Sequence, residues 1–104
     1  MSFTGHENHS ITLNEAAILT RNYRNSVPAG ATLSGYFSRD GLSKILDQSG
    51  CVGVRIYYAK SNGGAPLFVL VGAKADGDDL YKGELAEHSI DCPPICPTSN
   101  PLSS

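Results

Sequence analysis

The chain has 104 residues, of which 40% are apolar and 17% are charged, and its formal net charge is −2. This length predicts one modest hydrophobic core, and the composition is typical of a folded chain rather than of intrinsic disorder. The eight Lys and Arg residues are scattered along the sequence, whereas binding to a phosphate backbone needs a basic patch. We therefore expect no nucleic-acid partner.

No apolar run reaches the roughly 18–20 residues that a membrane-spanning helix needs. The longest run is Leu67–Val71 with Gly72 and Ala73 after it, and the first ten residues lack the basic start and apolar core of a secretory signal. We expect no membrane association and a cytoplasmic location, where thiols stay reduced. If a signal peptide had already been removed from this chain, a disulfide between Cys92 and Cys96 would be expected instead.

Two helices are predicted in the first half of the chain. Thr12 and Glu15 match a capping box, so a helix is expected over 13–26, ended by Pro28 and Gly30.

A short extended piece at 35–37 follows this helix. Ser38 or Asp40 then caps a second helix near 39–49, whose apolar residues recur at i, i+3 and i+4.

From Cys51 onward apolar residues alternate with a period of two, which is typical of a strand with one buried face. The residues expected on the buried face are Val52, Val54, Ile56 and Tyr58. A turn at 61–66 leads into Leu67–Val71, which is apolar on both faces and therefore predicts a central, antiparallel partner strand. After a tight turn at 76–79, residues 80–87 are expected to return as a further strand.

These elements predict an α+β fold in which two helices pack on one face of a three- to four-stranded antiparallel sheet. We expect a flexible N-terminal arm over 1–10, a single domain over 11–90 and a Pro/Ser-rich tail over 91–104.

The three cysteines are candidates for chemistry, although an odd number cannot close entirely into disulfides within one chain. If the fold brings the three cysteines close to one histidine, together they could bind zinc or iron. The ligands would be Cys51, His88, Cys92 and Cys96. The tail spacing is Cys-x3-Cys, however, whereas structural zinc sites favour Cys-x2-Cys. Two alternatives stay open: Cys92 and Cys96 as a redox or disulfide pair, and all three thiols as structural residues.

No nucleophile elbow and no phosphate loop occurs, so no catalytic residue is expected. Arg55 lies in the middle of a predicted strand, where its guanidinium needs a carboxylate, water or ligand anion. We expect a non-catalytic binding or accessory module whose open sheet face presents Arg55, Tyr57 and Tyr36 to a protein partner or a second copy. A metal-binding protein and a thiol redox protein are the alternatives.

Several of these segments resemble a family of small bacterial proteins. The matching segments are Thr12–Ala16, Gly50–Tyr58, Leu70–Gly72 with the turn at 76–79, and Cys92–Cys96. They contain a Gly-Cys-Val-Gly-x-Arg-Ile-Tyr strand and a Cys-Pro-Pro-x-Cys tail, and the likeness spans most of residues 11–97. Because that family has no established activity, the resemblance implies a shared fold unit and cysteine pattern and assigns no role to any residue.

Overall fold

A computed structural model describes residues 2–104 of the chain. It has two helices and two antiparallel sheets, so the predicted α+β class is confirmed. In chain order the elements are α1 (Leu13–Ser26), β1 (Ser34–Tyr36), α2 (Arg39–Leu46), β2 (Cys51–Lys60), β3 (Pro66–Lys74), β4 (Leu85–Ala86) and β5 (Ile90–Cys92).

The chain divides into two compact units. The first, here called the hairpin unit, comprises the residues up to Glu7 together with Phe37–Ser89, and it holds α2 and the sheet β2-β3-β4. The second, here called the terminal unit, comprises Asn8–Tyr36 and Ile90–Ser104, and it holds α1 and the sheet β1-β5. The strands form two sheets instead of one because β5 pairs with β1 and not with the hairpin.

The hairpin unit is built on the antiparallel pairing of β2 with β3. The register runs from Cys51 opposite Lys74 to Lys60 opposite Pro66, with an irregularity between Cys51 and Gly53. Two-residue β4 pairs with the other side of β3, which makes β3 the central strand, as its apolar residues on both faces predicted. The buried apolar side chains of this unit are Ile45, Leu70, Val71 and Ala73.

Helix α2 packs against β2 and β3 and covers one end of the hairpin. The Ser38 hydroxyl accepts the Gly41 N–H, as the capping pattern predicted, and the helix ends at Leu46, earlier than expected. Just beyond it, the Gln48 side chain donates to the Ile45 carbonyl (2.8 Å) and accepts the Glu84 N–H (2.9 Å). These two hydrogen bonds hold the Gln48 amide in place.

Gly72 on β3 lies under this amide. A Cβ atom at Gly72 would stand 3.0 Å from Cys51 Sγ, 3.0 Å from Gln48 Nε2 and 3.1 Å from Leu80 Cδ1. A side chain at this position would therefore push against three neighbours at once.

The terminal unit contains α1 and the C-terminal end of the chain. The predicted capping box between Thr12 and Glu15 is present, and α1 spans the predicted residues. β1 pairs with β5 from Ser34 opposite Cys92 to Tyr36 opposite Ile90. A bilayer could not be crossed by any helix found within residues 2–104.

We expect Gly72→Ala to lower the free energy of unfolding by about 1–3 kcal/mol, the usual cost of overpacking a close contact. Gly53→Ala on the neighbouring strand is the matched control, because a Cβ there meets no atom within 4 Å. Urea denaturation of both variants measures the difference. Equal stability of the two variants would contradict the packing described at Gly72.

Candidate functional site

Three polar side chains form a cluster in the hairpin unit: Arg55 and Tyr57 on β2, and Asp79 after β3. Arg55 Nη1 donates to Asp79 Oδ1 and also to the Gly77 carbonyl, the latter at 2.9 Å. The Tyr57 hydroxyl donates to the second carboxylate oxygen, Asp79 Oδ2. Both oxygens of Asp79 are therefore occupied by donors from β2.

Local structure explains how the three side chains meet. Arg55 and Tyr57 lie two residues apart on β2 and so project from the same face of the sheet. The turn after β3 is closed by Gly77, at φ 92°, and Asp79 then forms an antiparallel bridge with Ala73. This bridge places Asp79 on the far side of β3 from β2. Its carboxylate reaches across the central strand to Arg55 and Tyr57.

The contacts shift the pKa of each group in the cluster. The pKa of Asp79 is lowered, mainly by the hydrogen bond from Tyr57 and then by that from Arg55. The pKa of Tyr57 and the pKa of Arg55 are both raised, in each case mainly by the hydrogen bond to Asp79. The cluster therefore favours an ionised carboxylate, a neutral phenol and a charged guanidinium.

Phe3 adds an aromatic contact to this cluster. Its backbone N–H donates to the Ala75 carbonyl at 2.6 Å, and Arg55 Cζ stands 5.8 Å from the centre of its ring. This distance lies within the range of a cation–π interaction. Of the carboxylate, water or ligand anion that the mid-strand arginine was expected to need, the structure supplies a carboxylate, and it adds an aromatic contact.

The opposite face of β2 carries apolar side chains that are open to solvent. Ile56 is 56% exposed and Tyr58 is 90% exposed. The Tyr58 ring contacts that of Phe68 on β3, with their centroids 5.6 Å apart. The prediction that Ile56 and Tyr58 lie on a buried face is therefore wrong.

The length of α2 gives the physical reason for this exposure. Its eight residues extend about 12 Å, whereas the ten residues of β2 extend about 33 Å. Helix α2 covers the end of the sheet around Gly72 and leaves the end around Tyr58 uncovered.

The four residues predicted as metal ligands are placed as follows. Cys92 and Cys96 form a disulfide, and Cys51 is the free cysteine, its thiol donating to the Gly53 carbonyl at 3.2 Å. The side chain of His88 is 99% exposed and pairs with Glu87. Among residues 2–104 no group of three or more His, Cys, Asp or Glu side chains is arranged to hold a metal ion.

The predicted binding face divides between the two sheets. Arg55 and Tyr57 lie on β2, whereas Tyr36 is the last residue of β1 and is exposed. From the sequence, Asp79 is expected only in a turn and Phe3 only in an arm. Asp79 could have been found from two signals: the mid-strand arginine that needs a partner, and the acidic turn that follows the next strand.

No family model, curated protein or solved structure matches the chain. The resemblance to a family of small bacterial proteins accordingly stays a prediction. Function has to be inferred from the geometry of the two units.

Asp79→Asn tests the electrostatics of the cluster through its pH dependence. Because the pKa of Asp79 is lower in the folded state than its unfolded value of about 3.9, the carboxylate stabilises the fold above that pH and loses this effect as pH falls through the folded pKa. We expect the wild type to exceed Asp79→Asn in urea midpoint at neutral pH, and the gap to close below about pH 4.

The control is Asp78→Asn, which changes an exposed carboxylate in the same turn. It should leave the urea midpoint nearly unchanged at neutral pH. A gap between wild type and Asp79→Asn that stays constant into acid would show that the charge of Asp79 does not act as described.

Cys96→Ser tests the disulfide. Closing a loop with a sequence separation of 4 stabilises a fold by about 2 kcal/mol on chain-entropy arguments, so we expect a loss of that size in the free energy of unfolding. Cys51→Ser is the control, since it removes a thiol without touching the disulfide. A thiol count on denatured, unreduced wild type should find one free thiol, and a count of three would contradict the disulfide.

Proposed function

We propose that the chain is a non-catalytic binding module whose site is the outer edge of β2 together with the exposed side chains beside it. One observation carries this proposal. Among residues 2–104, β2 pairs with β3 alone. Gly5 lies against Val52 near the start of the strand, but further along the unpaired edge Ile56, Tyr57 and Tyr58 are exposed.

Open strand edges offer rows of backbone donors and acceptors to any extended chain that approaches them. Soluble proteins usually protect such edges with charges, prolines or covering loops, and a long apolar edge is an association site. Here the uncovered half of β2 carries two tyrosines and an isoleucine in succession. An extended polypeptide segment that adds to the sheet as a new strand fits this edge best.

The two faces of the sheet contribute different kinds of side chain to the proposed site. On one face Ile56, Tyr58 and Phe68 supply apolar and aromatic contact area, the residue types that dominate binding energy at interfaces. On the other face Asp79 holds Arg55 and Tyr57 in a fixed arrangement, which lowers the entropy lost on binding. The bound segment belongs to a protein partner or to a second copy of this chain.

The two alternatives rest on weaker support. A zinc or iron site at Cys51, His88, Cys92 and Cys96 requires reduction of the disulfide, because disulfide sulfur is not a thiolate ligand. A thiol redox role would use Cys92 and Cys96, but within residues 2–104 no helix begins beside either cysteine, whereas the reactive thiol of a redox motif draws its low pKa from a helix N-terminus.

The proposed cytoplasmic location is likewise open to test. The Cys92–Cys96 disulfide bears against it, because cytosolic thiol pools keep most protein thiols reduced. Trapping the thiols of the protein inside intact cells with an alkylating agent would decide between the two states.

Tyr58→Lys should weaken association at the β2 edge. In the homotypic form of the proposal, sedimentation equilibrium detects a dimer of the wild type, and Tyr58→Lys raises its dissociation constant about tenfold or more because an exposed aromatic anchor is replaced by a charge. Tyr81→Lys is the matched control, since Tyr81 is also exposed but lies outside the strands. It should leave the dimer unchanged.

If the wild type is monomeric, selection from a displayed library of random peptides tests the heterotypic form. Peptides that bind should perturb the backbone amide resonances of β2 and should bind Tyr58→Lys about tenfold more weakly. A monomeric protein that selects no such peptide would overturn the proposal.

A further inference from the structure

The terminal unit contains a cleft of about 510 Å³, and none of the residues that line it belongs to β2. Its walls come from α1, from the start of β1 and from the C-terminal segment. This volume lies within the range of about 300–1,000 Å³ that small-molecule sites occupy. The cleft is large enough for an organic ligand.

The walls of the cleft are mostly apolar. Leu19, Tyr23, Leu33 and Leu102 all line it, and their exposed fractions run from 38% to 60%. Four large apolar side chains thus remain accessible around one concave surface. Such a surface favours a hydrocarbon group over water.

One cation stands among these apolar side chains. Arg24 lines the cleft, and its Nη1 donates to the backbone carbonyl of Leu102 at 2.7 Å. No carboxylate of residues 2–104 lies within ion-pair distance of Arg24. An arginine has five N–H donors in a planar fork, and the Leu102 carbonyl is the one protein acceptor that Arg24 is seen to use.

The other charges of α1 also favour an anion near Arg24. The acidic residue of the helix, Glu15, lies in its first turn and takes part in the capping box, whereas Arg21 and Arg24 lie in its second half. The cleft begins at Leu19, so it is flanked by the cationic half of α1. An anionic group that enters the cleft would meet positive charge.

We propose that this cleft binds a small amphipathic carboxylic acid, with its hydrocarbon chain on Leu19, Tyr23 and Leu33 and its carboxylate on Arg24. A guanidinium and a carboxylate match in geometry and form charge-assisted hydrogen bonds. The apolar wall supplies contact area, and the single cation fixes the orientation of the ligand. This site does not depend on the binding function proposed for β2.

The test titrates decanoate into the full-length, oxidised protein below its critical micelle concentration and follows backbone amide resonances. We expect saturable shifts centred on residues 19–24, 33–34 and 100–103. Decanol and decyltrimethylammonium carry a chain of the same length with a neutral and a cationic head. Decanol should bind about tenfold more weakly than decanoate, and the cation more weakly still, because only the carboxylate pairs with Arg24.

Arg24→Gln should weaken decanoate binding about tenfold and leave decanol binding unchanged. An unchanged decanol affinity shows that the cleft survives the loss of the hydrogen bond to Leu102. Arg21→Gln is the matched control, because it removes a cation from the same helix without altering the lining of the cleft. Arg24→Lys, which keeps a charge and a donor, should recover part of the decanoate affinity.

Three results would overturn the proposal. Decanoate and decanol could bind the wild type equally, which would mean that no headgroup is recognised. Arg21→Gln and Arg24→Gln could weaken decanoate binding equally, which would mean that decanoate responds to the overall positive charge of α1 and not to a contact with Arg24. Shifts that grow without saturation or that fall mainly outside the terminal unit would show that the cleft is not the site.

Discussion

The antiparallel pairing of β2 with β3 is the interaction on which the hairpin unit depends. It sets Arg55 and Tyr57 on one face of the sheet and Ile56 and Tyr58 on the other, since neighbouring residues of a strand alternate. It also leaves β2 with one unpaired edge, because β4 occupies only the opposite side of β3. The proposed binding surface is a direct result of this topology.

The Arg55–Asp79–Tyr57 cluster connects parts of the hairpin unit that are far apart in sequence. Asp79 follows the turn after β3, whereas Arg55 and Tyr57 precede it on β2, so their hydrogen bonds tie the turn across the central strand. Both carboxylate oxygens of Asp79 accept hydrogen bonds within the cluster, one from Arg55 Nη1 and one from the Tyr57 hydroxyl. The cluster therefore links β2 to the segment after β3, next to the exposed aromatic side chains.

The terminal unit differs from the hairpin unit in that it buries few apolar residues of its own. Ala17 and Cys92 are its buried apolar residues within the described chain. The β1-β5 pairing and the Cys92–Cys96 disulfide supply constraint where burial is small, which is the usual strategy of small units. The same shortage of core leaves Leu19, Leu33 and Leu102 around an open cleft instead of inside a packed centre.

Local signals in the sequence determined the limits of α1 through its capping box, the start of α2 through its cap at Ser38, and the β2-β3 hairpin through the change to a period of two. Each depends on neighbouring residues, so each could be predicted without knowledge of the fold. Tertiary structure alone decided that β5 pairs with β1, that Asp79 meets Arg55, and that Ile56 and Tyr58 face solvent. These outcomes depend on contacts between residues that are distant in sequence and on how much of the sheet the short helix α2 covers. Neither can be predicted from the pattern of neighbouring residues.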